Sequence, residues 1–121
     1  MALAIEMIAV SEGLSLGEKL GMDPKVLSDI MSVSTSRCWS IDTYNPRPGM
    51  IATTPSSRGY TGGFGVSLIK KDLTIAQDVG RQIHASLEFS NLALDYFTQL
   101  EKSGEGGKDF SYVYKLIHGK K

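Results

Sequence analysis

Residues 62–78 read GGFGVSLIKKDLTIAQD, a glycine-rich approach that runs into an unbroken series of helix-compatible residues. At about 100° per residue, Val66, Leu68, Ile69, Leu73, Ile75, Ala76 and Val79 cover one broad half of a helix. A helix from Gly65 to Gln82 that buries this half is therefore expected. Asp72 falls in the middle of the apolar half. Lys71 stands at its edge, close in projection to Phe64, and Lys70, Thr74 and Gln77 take the polar side. A carboxylate pointed into apolar surface needs a partner or a site. Either Asp72 caps a neighbouring helix or pairs with a buried cation while Lys71 snorkels past the rim, or the two residues belong to a ligand site.

Before this helix the composition changes. Residues 45–65 contain Pro46, Pro48, Gly49, Pro55, Gly59, Gly62, Gly63 and Gly65, which predicts a long loop. Loops of this length inside a compact domain tend to be functional or mobile. A disordered linker is the alternative reading, against which Tyr44, Met50, Tyr60 and Phe64 argue, since large apolar side chains along a loop call for packing.

Further out the chain reads as helices in both directions. Residues 1–20 place Leu3, Met7, Val10, Leu14 and Leu20 on one face, widened by Ile5, Ile8 and Ala9, which implies burial by several neighbours. Gly21 suits a left-handed helix end, and Asp23 with Pro24 supplies the cap and first residue of a second helix. Val26, Leu27, Ile30 and Met31 are its expected inner stripe. A third, shorter helix is expected from Ser34 to Tyr44, capped by Ser34, Thr35 or Ser36. Downstream, a helix from Leu87 to Ser103 turns Leu87, Leu92, Ala93, Tyr96, Phe97 and Leu100 inward, and Gly104, Gly106 and Gly107 break it. The last segment, Asp109 to His118, opens on a capping candidate and carries Phe110, Val113, Tyr114 and Ile117 at helical spacing. With no sustained period-two alternation, internal repeat or heptad seam, the expected fold is all-α, a compact multi-helix bundle.

The totals narrow the function. A chain of 121 residues, 41% hydrophobic, holds one core. Thirteen basic residues balance thirteen acidic ones, so no net field draws it to nucleic acid or to an anionic membrane, and neither is expected as a partner. Lys120 and Lys121 read as a solvated basic end. The single cysteine, Cys38, excludes an internal disulfide framework, and with His84 and His118 far apart no metal cluster is expected. No apolar run approaches the roughly 18–20 residues needed to span a bilayer. The opening MALAIEMIAV lacks a preceding basic segment and is interrupted by Glu6, so it reads as a buried helix rather than a signal peptide, in a chain expected to start inside a larger protein.

A second segment, SRCWSIDTYNPRPG at residues 36–49, offers chemistry. Trp39 and Tyr44 present flat surfaces that suit a ligand pocket or a core. Arg37 and Arg47 are candidates for carboxylate or phosphate recognition, or plain surface charges. Cys38 reads as a small hydrophobe rather than a nucleophile. GYTGGFG lacks the preceding strand that a dinucleotide-binding turn requires, and the chain has neither a Gly-x-Gly-x-x-Gly turn nor a Walker-type lysine loop.

Together these motifs resemble the carboxy-terminal domain of the β-hydroxyacid dehydrogenase family. MALAIEMIAVSEGLSLGEKLGMDP, RCWSIDTYNPRPG and YTGGFGVSLIKKDLTIAQD carry the resemblance, with a weaker ending at KDFSYVYKLI. GGF before a helical KDL is typical of the wider family, and RCWS with YNP-x-PG points to its hydroxyisobutyrate branch. Residues 79–121 match loosely.

The resemblance implies a helical substrate and dimerisation domain spanning residues 1–121, of the 6-phosphogluconate dehydrogenase C-terminal-domain-like type. It implies an NAD-dependent oxidation of a small 3-hydroxy acid, 3-hydroxyisobutyrate to methylmalonate semialdehyde in valine breakdown. NAD is held mainly by an amino-terminal Rossmann domain absent from this chain. The family's acid/base lysine and substrate-positioning asparagine fall, by the same resemblance, upstream of Met1, so this chain alone is expected to be inactive. Lys71 aligns with the lysine of the family's KD pair and is the cofactor-contacting residue implied; Trp39, Tyr44, Phe64 and Asp72 coincide with positions at or behind the substrate cleft. Lys70 replaces a commonly small residue. A homo-oligomer is implied, as is a mitochondrial location in a eukaryote or a cytoplasmic one otherwise. A related semialdehyde reductase and a non-catalytic helical interaction module are the competing readings.

Overall fold

Asp23 turns the chain from its first helix into its second. In the computed structural model, which describes residues 1–119, Asp23 Oδ1 accepts hydrogen bonds from Lys25 N at 2.9 Å and Val26 N at 3.0 Å. With Pro24 at the first helical position, this starts α2 (Pro24–Val33) immediately after α1 (Ala2–Lys19), Gly21 taking a φ of 84° between them. The helices approach closely because Gly17 has no side chain: a Cβ there would run into Leu27. The basic end at Lys120 and Lys121 lies outside the described residues.

Four further α-helices follow among the described residues: α3 (Trp39–Asp42), α4 (Val66–Gln82), α5 (Glu88–Leu100) and α6 (Val113–Gly119). A 3-10 turn at Pro55–Arg58 interrupts the long loop, a π-type turn at Glu101–Glu105 ends α5, and a 3-10 turn at Phe110–Tyr112 leads into α6. The main core gathers Ala4, Met7 and Ile8 of α1, Val66, Ile69 and Leu73 of α4, Ala93, Phe97 and Leu100 of α5, and Phe110, Val113 and Ile117 near the end of the chain. A smaller cluster joins Val10 and Leu14 to Ile41 and Tyr114, with Leu27, Met31 and Cys38 against it. No helix among the described residues is long and apolar enough to cross a membrane.

Several sequence expectations are corrected. The third helix is one turn, not Ser34–Tyr44, because its cap comes from elsewhere: Glu6 of α1 accepts from Ser40 N at 2.9 Å and Ser40 Oγ at 2.6 Å. Only Leu27 and Met31 of the expected α2 stripe face the core, leaving Val26 and Ile30 exposed. On α4 the buried line is Val66, Ile69, Leu73, Gln77 and Gly80. Leu68, Ile75 and Val79 are about half exposed, while Gln77, assigned to the polar side, is buried with its amide donating to Leu87 O at 3.3 Å. Leu20 is exposed, whereas Ser11 is buried and returns its hydroxyl to Met7 O at 2.7 Å.

A bundle of helices alone is also too simple a description. Residues 45–65 form a packed layer of irregular backbone rather than a disordered linker, because buried polar groups there are matched. Asn45 Nδ2 donates to Ser28 Oγ at 2.9 Å, Ser56 Oγ donates to Asn45 O at 2.6 Å, and Tyr60 Oη donates to Pro46 O at 2.8 Å. The layer closes on the segment before α6 through an isolated antiparallel bridge between Gly65 and Asp109.

Candidate functional site

The backbone that leads into α4 is held from both sides. Asp109 N donates to Tyr60 O at 3.0 Å, Phe110 N to Phe64 O at 2.8 Å, and Val66 N to Lys108 O at 2.8 Å. At the turn itself Gly63 takes a φ of 77°, and a Cβ there would sit 2.5 Å from Tyr44 Oη and 2.8 Å from Pro55 Cγ, besides striking Asp109. Only glycine fits.

Three of the five site residues expected from sequence meet here. Trp39 stacks on Tyr44 with ring centroids 4.7 Å apart, Tyr44 stacks on Phe110 at 5.6 Å, and Phe64 meets Phe110 edge-on at 6.2 Å. The ladder runs from Trp39, 43% exposed, down to the buried Phe110. It gives a wall that is apolar on its ring faces and open to solvent at one end.

Asp109 anchors the ladder. It is fully buried, with Oδ2 accepting from Tyr44 Oη and from Phe64 N, each at 2.8 Å, and Oδ1 accepting from Ser111 N at 3.0 Å and Ser111 Oγ at 2.5 Å. Burial and the adjacent carboxylate push the Tyr44 phenol up to about 12, so the hydroxyl stays a donor at neutral pH. Sequence reading marked Asp109 only as a helix cap and missed this reach; the signal available was the KDF pattern around it.

Lys71 and Asp72 lie on α4, beyond Phe64. They pair with each other, Lys71 Nζ to Asp72 Oδ1 at 2.7 Å, with side chains 59% and 42% exposed. Asp72 is thus neither buried nor capping a helix; it sits on the outer stripe between Leu68 and Ile75. Lys71 borders an open groove of about 320 Å³ lined also by Ser67, Lys70, Thr74, Ile75 and Glu101. Lys70 is spoken for by Glu101, whose carboxyl it holds below the ordinary range. Lys71, paired only at the surface, can swing into the groove at little cost.

The remaining candidates are tied down. Arg37 binds Asp42 at 2.6 Å, and Arg47 reaches Glu18 at 3.4 Å and Pro48 O at 2.7 Å. Burial, opposed in part by backbone donors and reinforced by Glu6, pushes the Cys38 thiol up, away from the thiolate that a nucleophile requires.

Comparison with known proteins bears on this geometry. The family described as "NAD-binding of NADP-dependent 3-hydroxyisobutyrate dehydrogenase" matches residues 1–117. The chain is 50% identical over 118 residues to a probable mitochondrial 3-hydroxyisobutyrate dehydrogenase of Dictyostelium discoideum, covering 98% of this chain and 37% of that protein. It is 43% identical over 117 residues to the mitochondrial 3-hydroxyisobutyrate dehydrogenase of Homo sapiens, covering 97% of this chain and 35% of that one. The Mycobacterium tuberculosis 3-hydroxyisobutyrate dehydrogenase, solved with L-serine, superposes with a TM-score of 0.91 at 32% identity over 97% of this chain and 40% of its own. A Salmonella typhimurium 3-hydroxyisobutyrate dehydrogenase shares the fold, with a TM-score of 0.78 at 24% identity. The chain thus spans about a third of the curated relatives it matches.

One expectation is overturned by these matches. The chain was assigned to a 6-phosphogluconate dehydrogenase C-terminal-domain-like type. The matched family attaches NAD binding to the stretch itself, so the described helices are not assigned to that C-terminal type. NAD is the cofactor named for this stretch, and by the match over residues 1–117 the chain belongs to the 3-hydroxyisobutyrate dehydrogenase family.

Proposed function

We propose that this chain is part of an enzyme that oxidises 3-hydroxyisobutyrate to methylmalonate semialdehyde, and that it supplies one wall of the substrate cleft and a cofactor-contacting cation. The observation that carries the reading is the convergence of Trp39, Tyr44 and Phe64 on Asp109, beside the groove bordered by Lys71. An apolar wall with a few fixed polar groups suits a small branched hydroxy acid. The M. tuberculosis relative solved with L-serine, itself a 3-hydroxy acid, supports the substrate class.

The groove residues fit a nicotinamide cofactor. Ser67 and Thr74 bring hydroxyl groups, and with Lys70 neutralised by Glu101, the Lys71 ammonium is the cation left to meet a polar or anionic group. When bound, the cofactor supplies the acceptor for the hydride leaving the alcohol carbon. Lys71 places an ammonium group beside that exchange and orients what it touches. Asp72 holds the Lys71 ammonium at the groove rim. The aromatic wall excludes water from one side of the substrate. The residue that takes the alcohol proton is assigned to the family's lysine, outside this chain.

Self-association belongs to the same reading. Phe89 and Leu92 of α5 are more than half exposed along an apolar groove with Ile5, Ile8 and Ala9 of α1, surface of the kind a second copy covers. Light scattering should give a multiple of the protomer mass. The mitochondrial relatives favour that compartment.

Steady-state kinetics of the full-length protein test the function. Oxidation of 3-hydroxyisobutyrate with NAD, at a kcat/KM well above those for serine and for reduction of succinic or tartronate semialdehyde or glyoxylate, is expected. A preference for any of these semialdehydes or for glyoxylate would reassign the substrate, and no turnover of any of them would remove the enzymatic reading.

A further inference from the structure

The two oxygens of Asp109 face in different directions. Oδ1 does local work, capping the 3-10 turn through Ser111 N and Ser111 Oγ. Oδ2 instead reaches Tyr44 Oη and Phe64 N, 65 and 45 residues away in the chain. Capping alone needs one oxygen. All four partners can donate, and two of them, Ser111 N on one oxygen and Phe64 N on the other, can only donate, so both oxygens are needed as acceptors; an amide would turn its NH₂ toward one of these N–H groups. A fully buried carboxylate held by neutral donors is a costly way to stabilise a fold, since apolar packing does that as well. What it supplies is geometry.

We propose that Asp109 is a positioning residue for the hydroxy-acid side of the cleft. It locks the Tyr44 ring and the Gly63–Phe64 turn to the 3-10 turn before α6, and so fixes the wall that Trp39, Tyr44 and Phe64 present. The inference rests on the cleft assignment above. It separates the two ligands of the reaction: Asp109 contacts the aromatic wall, whereas Lys71 and its groove lie further along α4.

The test uses the full-length protein and two variants, Asp109→Asn and Ser111→Ala. Ser111 touches Asp109 on the side away from the aromatic wall, so its loss loosens the clamp without altering the wall itself. Asp109→Asn should raise KM for 3-hydroxyisobutyrate roughly tenfold or more and Ser111→Ala several-fold, with KM for NAD held within about twofold. Equal shifts in both KM values, or a lower melting temperature with an unchanged hydroxy-acid KM, would overturn the role. A second readout needs no turnover. Hydrogen exchange at the Phe64 amide should speed up at least tenfold in the variants while that of Leu73 in α4 stays slow. A Phe64 amide as protected as in the parent would sink the proposal even in a protein with no hydroxy-acid activity. Loss of that protection in an inactive protein would sink the proposed function and leave the clamp standing. If Asp109→Asn does not fold, Ser111→Ala carries both readouts.

Discussion

Tyr44 and Asp109, 65 residues apart in the chain, are joined by a 2.8 Å hydrogen bond from the phenol hydroxyl to the carboxylate. The bond ties the segment after α3 to the turn before α6 and passes directly behind Gly63. Its chemistry has a pH signature. The Tyr44 phenol rises from an ordinary value of 10.0 to about 12, through burial first and Asp109 second. A phenol with a raised folded value stabilises the fold fully below its unfolded value, and that contribution is lost as pH climbs through the folded one. Between about pH 10 and 12, Tyr44→Phe should therefore lose less stability than the parent protein. Urea midpoints across that range give the comparison, and parallel curves for the two proteins would refute it.

Substituting Gly63 by alanine should be far more damaging than its place in a loop suggests. The left-handed backbone alone costs a non-glycine residue about 1–3 kcal/mol. The new Cβ also meets Asp109, Tyr44 and Pro55 at once, and two of these three hold the clamp. Gly107→Ala, where an added Cβ meets nothing within 4 Å, is the internal comparison. Melting temperatures of the two variants should differ by several degrees, with Gly63→Ala the lower.

Lys71→Ala should separate function from stability. Its partner Asp72 is exposed, and a surface pair of this kind is worth about 0–1 kcal/mol. The melting temperature should stay within about a degree or two. KM for NAD should rise and kcat/KM fall by about tenfold or more, since one fixed cation beside the reacting groups is removed. Lys71→Arg should recover part of the loss. A variant with unchanged kinetics would remove Lys71 from the cofactor groove.

How much of this was legible in the sequence depends on how far each signal had to reach. The Asp23–Pro24 start of α2 and the left-handed Gly21 before it were legible because capping is settled within three or four residues. Trp39, Tyr44 and Phe64 were legible as a group only through the family resemblance, since their meeting depends on Phe110. The short α3 was not legible: its cap, Glu6, sits on another helix. Asp109 was read for its local oxygen and missed for its distant one. Residues 45–65 were legible as a loop by composition and as packed by their aromatics, yet nothing local named Asn45 as a hub of the interior.

The facing of α4 failed for a different reason, and it yields the last prediction. The apolar residues of this helix cover half its circumference, wider than one neighbouring helix can bury, so the pattern leaves the direction of burial undetermined. Two details of α5 and its approach decide it. Gln77 donates its amide to Leu87 O, and Gly80 lets the Leu87 side chain come close enough that a Cβ would collide with it. These contacts rotate Leu73 fully inward and leave Ile75 53% exposed. Truncation should follow the facing rather than hydrophobicity. Leu73→Ala leaves a cavity in the main core and should cost about 2–5 kcal/mol. Ile75→Ala removes a β-branched side chain of the same size from a half-exposed position, where surface changes stay near 0.5 kcal/mol, and improves helix propensity. Urea unfolding of the two variants should therefore show a large drop in midpoint for Leu73→Ala and a small one for Ile75→Ala. Equal losses would mean that Ile75 is covered in the full-length protein, by a second copy or by another part of the chain, and the light-scattering mass of the Ile75→Ala variant would say which.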